Sequence, residues 1–188
     1  MKITCILGSP RKNGNSAAIA GRFTSVAESL GAASETFFLN ELTFRGCQAC
    51  MACKGKLDTC GVKDDLIPVF ESMRTADIIV AATPVYSGYA SGQFKCFMDR
   101  CYSFLAPDYI TNPQPSRMPP GKKAVVITSQ GNPDPLLFDD LVIRLQTWVK
   151  RNWRAEEAHV IKGYGLGSNA VLEPFLKQAE DLARSMCR

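Results

Sequence analysis

The sequence predicts an α/β fold in which a doubly wound parallel sheet of five strands is covered by helices on both faces. Two observations predict it. Five short runs are almost continuously apolar and rich in β-branched residues, as strands buried on both faces are. The longer segments between these runs repeat apolar residues with the helical period. Strands that alternate with helices in this way indicate βαβ units.

The predicted strands are Lys2 to Leu7, Glu35 to Leu39, Ile78 to Ala82, Ala124 to Ser129 and Ala158 to Tyr164. The first helix, Ser16 to Leu30, carries a stripe of Ile19, Phe23 and Val26. A second helix ends at Arg74. Its predicted caps are Asp64 and Asp65, and Pro68 lies in its first turn, where a missing N–H is tolerated.

Three further helices complete the pattern. One begins at about Ser91, after the third strand. The next spans Pro135 to Trp153 and places Leu137, Leu141 and Leu145 on one face. The last is predicted to begin near Asn169.

Length and composition favour one domain over residues 1–188 and exclude several function classes. The net charge of +4 is modest and the basic residues are scattered, which argues against nucleic acid as a partner. No run approaches the roughly 20 apolar residues of a membrane span. Eight cysteines without a leader segment favour a reducing compartment, so we expect a cytoplasmic protein.

Half of the eight cysteines fall in one short run: Cys47, Cys50, Cys53 and Cys60. Gaps of two, two and six residues let four thiolates close around one compact centre, as ferredoxin-type runs do around an iron-sulfur cluster. Zinc ribbons usually split their ligands between two CxxC turns separated by about 12 or more residues. The run therefore favours a cluster, with zinc or oxidisable free thiols as alternatives. The other cysteines are predicted to be small buried hydrophobes: Cys5, Cys96, Cys101 and Cys187.

Two segments interrupt the alternation of strands and helices. The cysteine run forms an insertion at about residues 46–62, after the second strand. Residues 105–121 have no period and hold five of the eleven prolines. This Pro-rich loop is interpreted either as a rigid surface loop or as a lid or dimer contact beside a cofactor.

The loop after the first strand, residues 8–16, reads GSPRKNGNS and leads into a helix. Its glycines permit close backbone approach, and the helix N-terminus adds N–H groups and partial positive charge. Polar and cationic donors are supplied by Ser9, Arg11, Lys12, Asn15 and Ser16. The loop lacks the spacing of a Walker or GxGxxG motif, yet its position between strand and helix predicts phosphate binding.

Loops after the third and fourth strands should lie at the same edge of the sheet. Residues 83–89 read TPVYSGY, in which Tyr86 offers a face or edge to a flat ring, Pro84 stiffens the turn and Gly88 exposes backbone amides. Residues 129–133 read SQGNP. The glycine string over residues 163–168, after the fifth strand, is predicted to be a flexible turn.

These loops, the residues GQFK (92–95) and MDR (98–100), and the cysteine run resemble the iron-sulfur flavoproteins, which belong to the flavodoxin-like, NADPH-dependent FMN reductases. The resemblance extends to about residue 135. It implies a three-layer sandwich with strand order 2-1-3-4-5 and bound FMN. The implied FMN-binding residues are Ser9, Arg11, Asn13, Asn15 and Ser16 at the phosphate, and Pro84, Val85, Tyr86, Ser87, Gly88, Gln130 and Gly131 at the ring. The four cysteines of the run would ligate a 4Fe-4S cluster.

The resemblance implies a flavin-dependent oxidoreductase in which no side chain acts as a nucleophile. Electrons would come from NAD(P)H or ferredoxin and pass to quinones, another flavin or oxygen species, and the protein would be a homodimer or homotetramer. Two alternatives remain. One is an NAD(P)H-dependent FMN or quinone reductase without a cluster, and the other is a non-enzymatic flavodoxin-like electron carrier or thiol redox sensor.

Overall fold

A parallel sheet with helices on both faces forms the protein in the computed structural model, which describes residues 1–167 and 171–187. The strands are β1 (Lys2–Leu7), β2 (Ala33–Phe38), β3 (Ile78–Tyr86), β4 (Tyr89–Ala90), β5 (Lys122–Ser129) and β6 (Ala155–Gly163). The α-helices are α1 (Asn15–Ser29), α2 (Leu66–Thr75), α3 (Gly92–Arg100), α4 (Asp139–Trp153) and α5 (Glu173–Met186). No helix of the described segments is both long and apolar enough to cross a bilayer.

The main path of the sheet runs β2-β1-β3-β5-β6, and every neighbouring pair on it is parallel. This confirms the predicted parallel, flavodoxin-like sheet. The predicted count of five strands in the order 2-1-3-4-5 is wrong, because β4 adds a sixth strand that pairs only with β3.

The sequence missed β4 because a strand of two residues has no period to detect. It forms by a tight hairpin in which Ser87 (φ 49°) and Gly88 (φ 76°) both adopt the left-handed conformation. Two consecutive residues of positive φ are characteristic of the type I′ turn, whose twist matches that of the paired strands. The loop after the third predicted strand is therefore an ordered hairpin.

Side chains of the central strands alternate between two cores. One core lies between the sheet and helices α1 and α5, and it includes Ile3, Val80 and Val125. The other core lies on the opposite face, under α2, α3 and α4, and it includes Ile6 and Val126. Both faces are thus buried, which confirms the three layers and explains why the strands are almost continuously apolar.

Several predicted boundaries shift. Helix α4 begins at Asp139 and not at Pro135. The side chain of Asn132 accepts a hydrogen bond from the Asp134 N–H, and that of Asp134 accepts one from the Leu136 N–H. These two Asx turns keep the segment before Asp139 out of the helix. The predicted start of the last helix, near Asn169, lies outside the described residues, and α5 is described from Glu173.

Gly8, directly after β1, lies where α3 packs against the backbone. A Cβ added at Gly8 would lie 2.7 Å from the Cβ of Phe94, an atom that cannot move without the helix. We expect Gly8→Ala to lower the free energy of unfolding by about 1–3 kcal/mol through overpacking. Gly21→Ala in α1 is the matched control, because its Cβ would meet nothing within 4 Å. It should stabilise by about 0.5–1 kcal/mol. Denaturant unfolding measures both, and equal stability of Gly8→Ala and wild type would contradict this packing.

Candidate functional site

A cleft of about 540 Å³ opens at the carboxyl edge of the sheet, where the loops after β1, β3, β5 and β6 meet. The loops after β1 and β3 flank the point at which the strand order reverses, the usual ligand position in open α/β sheets. The cleft is lined by Arg11, Asn15, Pro84, Val85, Tyr86, Ser129, Gln130, Gly131, Leu166 and Gly167. The structure thus brings together residues from all three predicted FMN-binding loops.

Five of the predicted FMN-binding residues do not line this cleft. Ser9 and Ser16 are buried, at 2% and 1% exposure. Asn13 and Ser87 are exposed, and Gly88 is half-buried.

The first loop has the features of an anion cradle. Helix α1 begins after Gly14, which supplies no side-chain cap, and no acidic residue lies in its first turn. The N–H groups of that turn are therefore available to an anion, with the positive end of the helix dipole behind them. The Ser9 hydroxyl accepts a hydrogen bond from the Arg11 N–H at 3.0 Å, which leaves its own hydrogen to donate. This end of the cleft suits a phosphate.

Two buried hydroxyls, which sequence reasoning missed, join the first two loops. The Ser91 hydroxyl donates to the Gly8 carbonyl and accepts from the Phe94 N–H at the start of α3. The Ser91 N–H in turn donates to Thr83 Oγ1 at 3.1 Å. A buried serine or threonine inside an apolar run gives no pattern that marks such a role. Together they tie the start of α3 to the end of β3 and to the loop after β1.

The far wall of the cleft comes from Leu166 and Gly167, in the glycine string after β6. The prediction of a flexible turn did not anticipate that this segment lines the cleft. Leu166 is held there by two hydrogen bonds of 2.9 Å: its carbonyl accepts from the Asn15 amide, and its N–H donates to the Gln130 carbonyl. The buried Gln130 amide donates to two carbonyls of its own loop, at Asn132 and Asp134. Gln130 therefore holds the loop, and exposed Gly131 presents backbone to the cleft.

A second, narrower cavity collects all four cysteines of the run. Cys53 and Cys60 are buried, at 8% and 7% exposure, whereas Cys47 and Cys50 face solvent. Over the described residues, no three His, Cys, Asp or Glu side chains come close enough to hold a metal ion. The run thus surrounds a shared space without converging on a single point.

The backbone of the run is strained around Cys50. Ala49 (φ 50°) and Met51 (φ 56°) both lie in the left-handed region, which costs a residue with a Cβ about 1–2 kcal/mol. The two turns direct the chain around the cavity. Strain of this kind concentrates at functional sites, where surrounding structure holds it in place.

Two basic residues lie beside the buried half of the run. The Arg100 side chain is fully buried, and its Nε donates to Cys60 Sγ at 3.2 Å. Its two terminal nitrogens donate to the Asp64 carboxylate at 2.6 and 3.0 Å. Lys54 follows Cys53 in the chain, and its amino group donates to the carbonyl of Tyr102, which lines the same cavity, at 2.7 Å. Partial burial alone would raise the pKa of Asp64, but the bonds from Arg100 hold it below its usual value.

The other cysteines lie elsewhere. Burial raises the pKa of Cys5 to about 12 and raises the pKa of Cys101 further, so both remain neutral thiols, which are poor metal ligands. Their burial confirms the prediction of small core residues. Cys96 and Cys187 are only half-buried, so the prediction of full burial is wrong for these two.

Comparison with known proteins decides the family. The model of the family described as NADPH-dependent FMN reductase matches residues 1–134. The chain belongs to this family. The predicted family is therefore confirmed.

Relatives within the family are named iron-sulfur flavoproteins. One from Methanosarcina thermophila is 42% identical over 100 residues, which are 53% of this chain and 52% of that protein. One from Archaeoglobus fulgidus is 36% identical over 107 residues, 57% and 54% of the two chains. The chain thus spans about half the length of the curated relatives it matches.

Solved structures with little sequence identity share the fold. An NAD(P)H:quinone oxidoreductase from Methanothermobacter marburgensis superposes with a TM-score of 0.79 at 16% identity, covering 100% of this chain and 98% of that one. An FMN-dependent NADH-azoreductase from Bacillus anthracis, solved in complex with FMN, gives 0.73 at 15% identity with both chains covered completely. At this identity the likeness concerns the fold alone.

Proposed function

We propose that the chain is an FMN-dependent oxidoreductase that binds FMN in the cleft and a 4Fe-4S cluster on Cys47, Cys50, Cys53 and Cys60. The observation that carries the proposal is that these four cysteines line one cavity. The names of the relatives from Methanosarcina thermophila and Archaeoglobus fulgidus support it.

In this proposal the FMN phosphate lies at the N-terminus of α1, held by the Ser9, Ser16 and Asn15 side chains, the Asn13 region and the Arg11 guanidinium. The ring lies against residues 84–88, with Tyr86 along one edge. The third loop contributes backbone groups at Gly131, since Gln130 already donates both amide hydrogens to its own loop. Bound FMN would supply two-electron exchange with nicotinamides and one-electron exchange with a cluster.

The arrangement of the cysteines does not form a ready site for a single zinc ion. Four thiolates at about 2.3 Å from one zinc lie about 3.8 Å from each other. No such convergence of three ligands occurs among the side chains of residues 1–167 and 171–187. A 4Fe-4S core is larger and spaces its four thiolates further apart, so a cluster does not require this convergence.

A second candidate is an NAD(P)H-dependent FMN or quinone reductase without a cluster. The exposure of Cys47 and Cys50 favours it, because free thiols at the surface need no metal. A thiol redox sensor or non-enzymatic carrier would share this exposure but would turn over nicotinamides poorly. In each case we propose a cytoplasmic homodimer or homotetramer. Its electrons would come from NAD(P)H or ferredoxin and pass to a quinone, flavin or oxygen species.

The test is purification without oxygen, followed by a visible spectrum and by counts of iron, acid-labile sulfide and released FMN. The proposal expects one FMN and about four irons with four sulfides per chain. Flavin bands without iron would remove the cluster and favour the second candidate. Absence of flavin after incubation with FMN would contradict the cleft as an FMN site. NAD(P)H oxidation with a quinone acceptor then separates a reductase from a carrier or sensor.

A further inference from the structure

Two basic residues lie on the inner side of the cysteine cavity. Cys53 and Cys60 are buried there, whereas Cys47 and Cys50 lie on the solvent side. Arg100 donates to Cys60 at 3.2 Å, and Lys54, the residue after Cys53, donates to the carbonyl of Tyr102, which lines the cavity. Both cations thus lie beside the buried pair of cysteines.

Hydrogen bonds to backbone carbonyls hold the Lys54 amino group in place beside the cavity. Its amino group donates to the carbonyls of Tyr102 and Leu105, each at 2.7 Å, and lies 3.8 Å from the centre of the Tyr102 ring. These partners are dipoles and a π face, and no carboxylate of the described chain forms an ion pair with Lys54. The positive charge of Lys54 is thus left for whatever the cysteines hold.

Arg100 acts differently. Asp64 neutralises much of its charge, but the same carboxylate fixes the guanidinium so that Nε points at Cys60 Sγ. Arg100 also donates to the carbonyls of Arg45 and Val62, on either side of the cysteine run. It therefore supplies an oriented N–H to sulfur hydrogen bond and fixes the ends of the segment.

We propose that Lys54, as a positioning residue, compensates the negative charge of the four-cysteine centre and raises its reduction potential, while Arg100 adds a hydrogen bond to Cys60. This inference rests on the proposed cluster. A 4Fe-4S core with four thiolates is anionic, and one added electron makes it one unit more negative. A fixed nearby cation stabilises the reduced form more than the oxidised form. Hydrogen bonds to the sulfurs act in the same direction.

The test is a potentiometric titration of the anaerobically prepared holoprotein with dithionite as electron donor, followed by electron paramagnetic resonance. At the wild-type midpoint, Lys54→Met should lower the ratio of reduced to oxidised centre about tenfold, equivalent to about 59 mV for one electron. Lys54→Arg, which keeps the charge, should stay within about twofold of wild type. Lys56→Met is the matched control, since Lys56 is exposed and lies two positions along the chain.

The outcomes separate this inference from the proposed function. Iron in every variant with equal midpoints for Lys54→Met and Lys56→Met would overturn the role of Lys54 and leave the cluster intact. A shift in Lys54→Arg as large as in Lys54→Met would overturn charge as the cause. Wild-type protein without iron overturns both proposals. Far-UV circular dichroism and thermal unfolding confirm that each variant is folded, so that loss of structure is not mistaken for a change in potential.

Discussion

Replacing Arg100 with methionine is expected to lower the free energy of unfolding by about 3–5 kcal/mol, the usual cost of breaking a buried ion pair from one side. The Arg100 side chain is fully buried, and only 12% of the Asp64 side chain is exposed. Methionine fills part of the volume but leaves Asp64, Cys60 Sγ and two carbonyls without their donor. Urea unfolding of the reduced apoprotein measures the loss.

The control is Arg144→Met, which breaks a surface pair with Asp140 on α4. Those side chains are 56% and 64% exposed, so the expected loss is only about 0.3–0.5 kcal/mol. Adding Asp64→Asn to Arg100→Met should recover part of the stability, because the uncompensated carboxylate is then gone. A loss in Arg100→Met no larger than in Arg144→Met would contradict the buried network.

The same pair predicts a dependence on pH. Partial burial alone would raise the pKa of Asp64, yet the bonds from Arg100 and the Leu66 N–H hold that pKa below its usual value. A carboxyl with a lowered folded-state pKa stabilises fully above its unfolded pKa of about 3.9 and loses that contribution as pH falls through the folded-state pKa. In Arg100→Met the free energy of unfolding should therefore decrease less steeply as the pH falls below about 4. If the variant and wild type show the same decrease, Arg100 does not control the pKa of Asp64.

The strands and the edge of the sheet that carries the cleft could be predicted because burial on both faces leaves a direct trace in sequence, a short apolar run between polar loops. The hairpin strand β4 could not, since two residues, Tyr89 and Ala90, carry no period. Helix α4 was placed too early because apolar Leu136 and Leu137 continue its stripe, although Asx turns keep that segment out of the helix.

The cysteine run was visible from spacing alone, but its buried cation was not. Arginine is rarely fully buried, so nothing in the letters MDR marks Arg100 as a core residue. Its burial depends on partners 36 to 55 positions away, at Asp64, Cys60 and Arg45. Ser91 and Thr83 were missed for the same reason, because the pairing of buried hydroxyls is a tertiary property.

Cys50→Ser is expected to abolish the four-iron centre while leaving FMN bound. The change removes one sulfur from an exposed side chain, so the fold should persist, whereas serine is a poor substitute for a thiolate ligand. No cysteine of the run lines the cleft, so the flavin bands should remain at wild-type intensity. Iron and sulfide counts should fall from about four of each per chain to a minor fraction.

The matched control for Cys50→Ser is Cys96→Ser, since Cys96 is half-buried on α3 and does not line the cysteine cavity. It should retain both iron and flavin. If Cys50→Ser keeps the full iron content, Cys50 is not a ligand, and the shared cavity does not reflect one four-cysteine centre. If Cys96→Ser loses iron as well, the effect of each serine is on the fold around the run rather than on ligation. The cluster is assigned to this run if Cys50→Ser loses iron and Cys96→Ser retains it. Both variants replace a thiol with a hydroxyl, so a difference between them reflects the position of the cysteine.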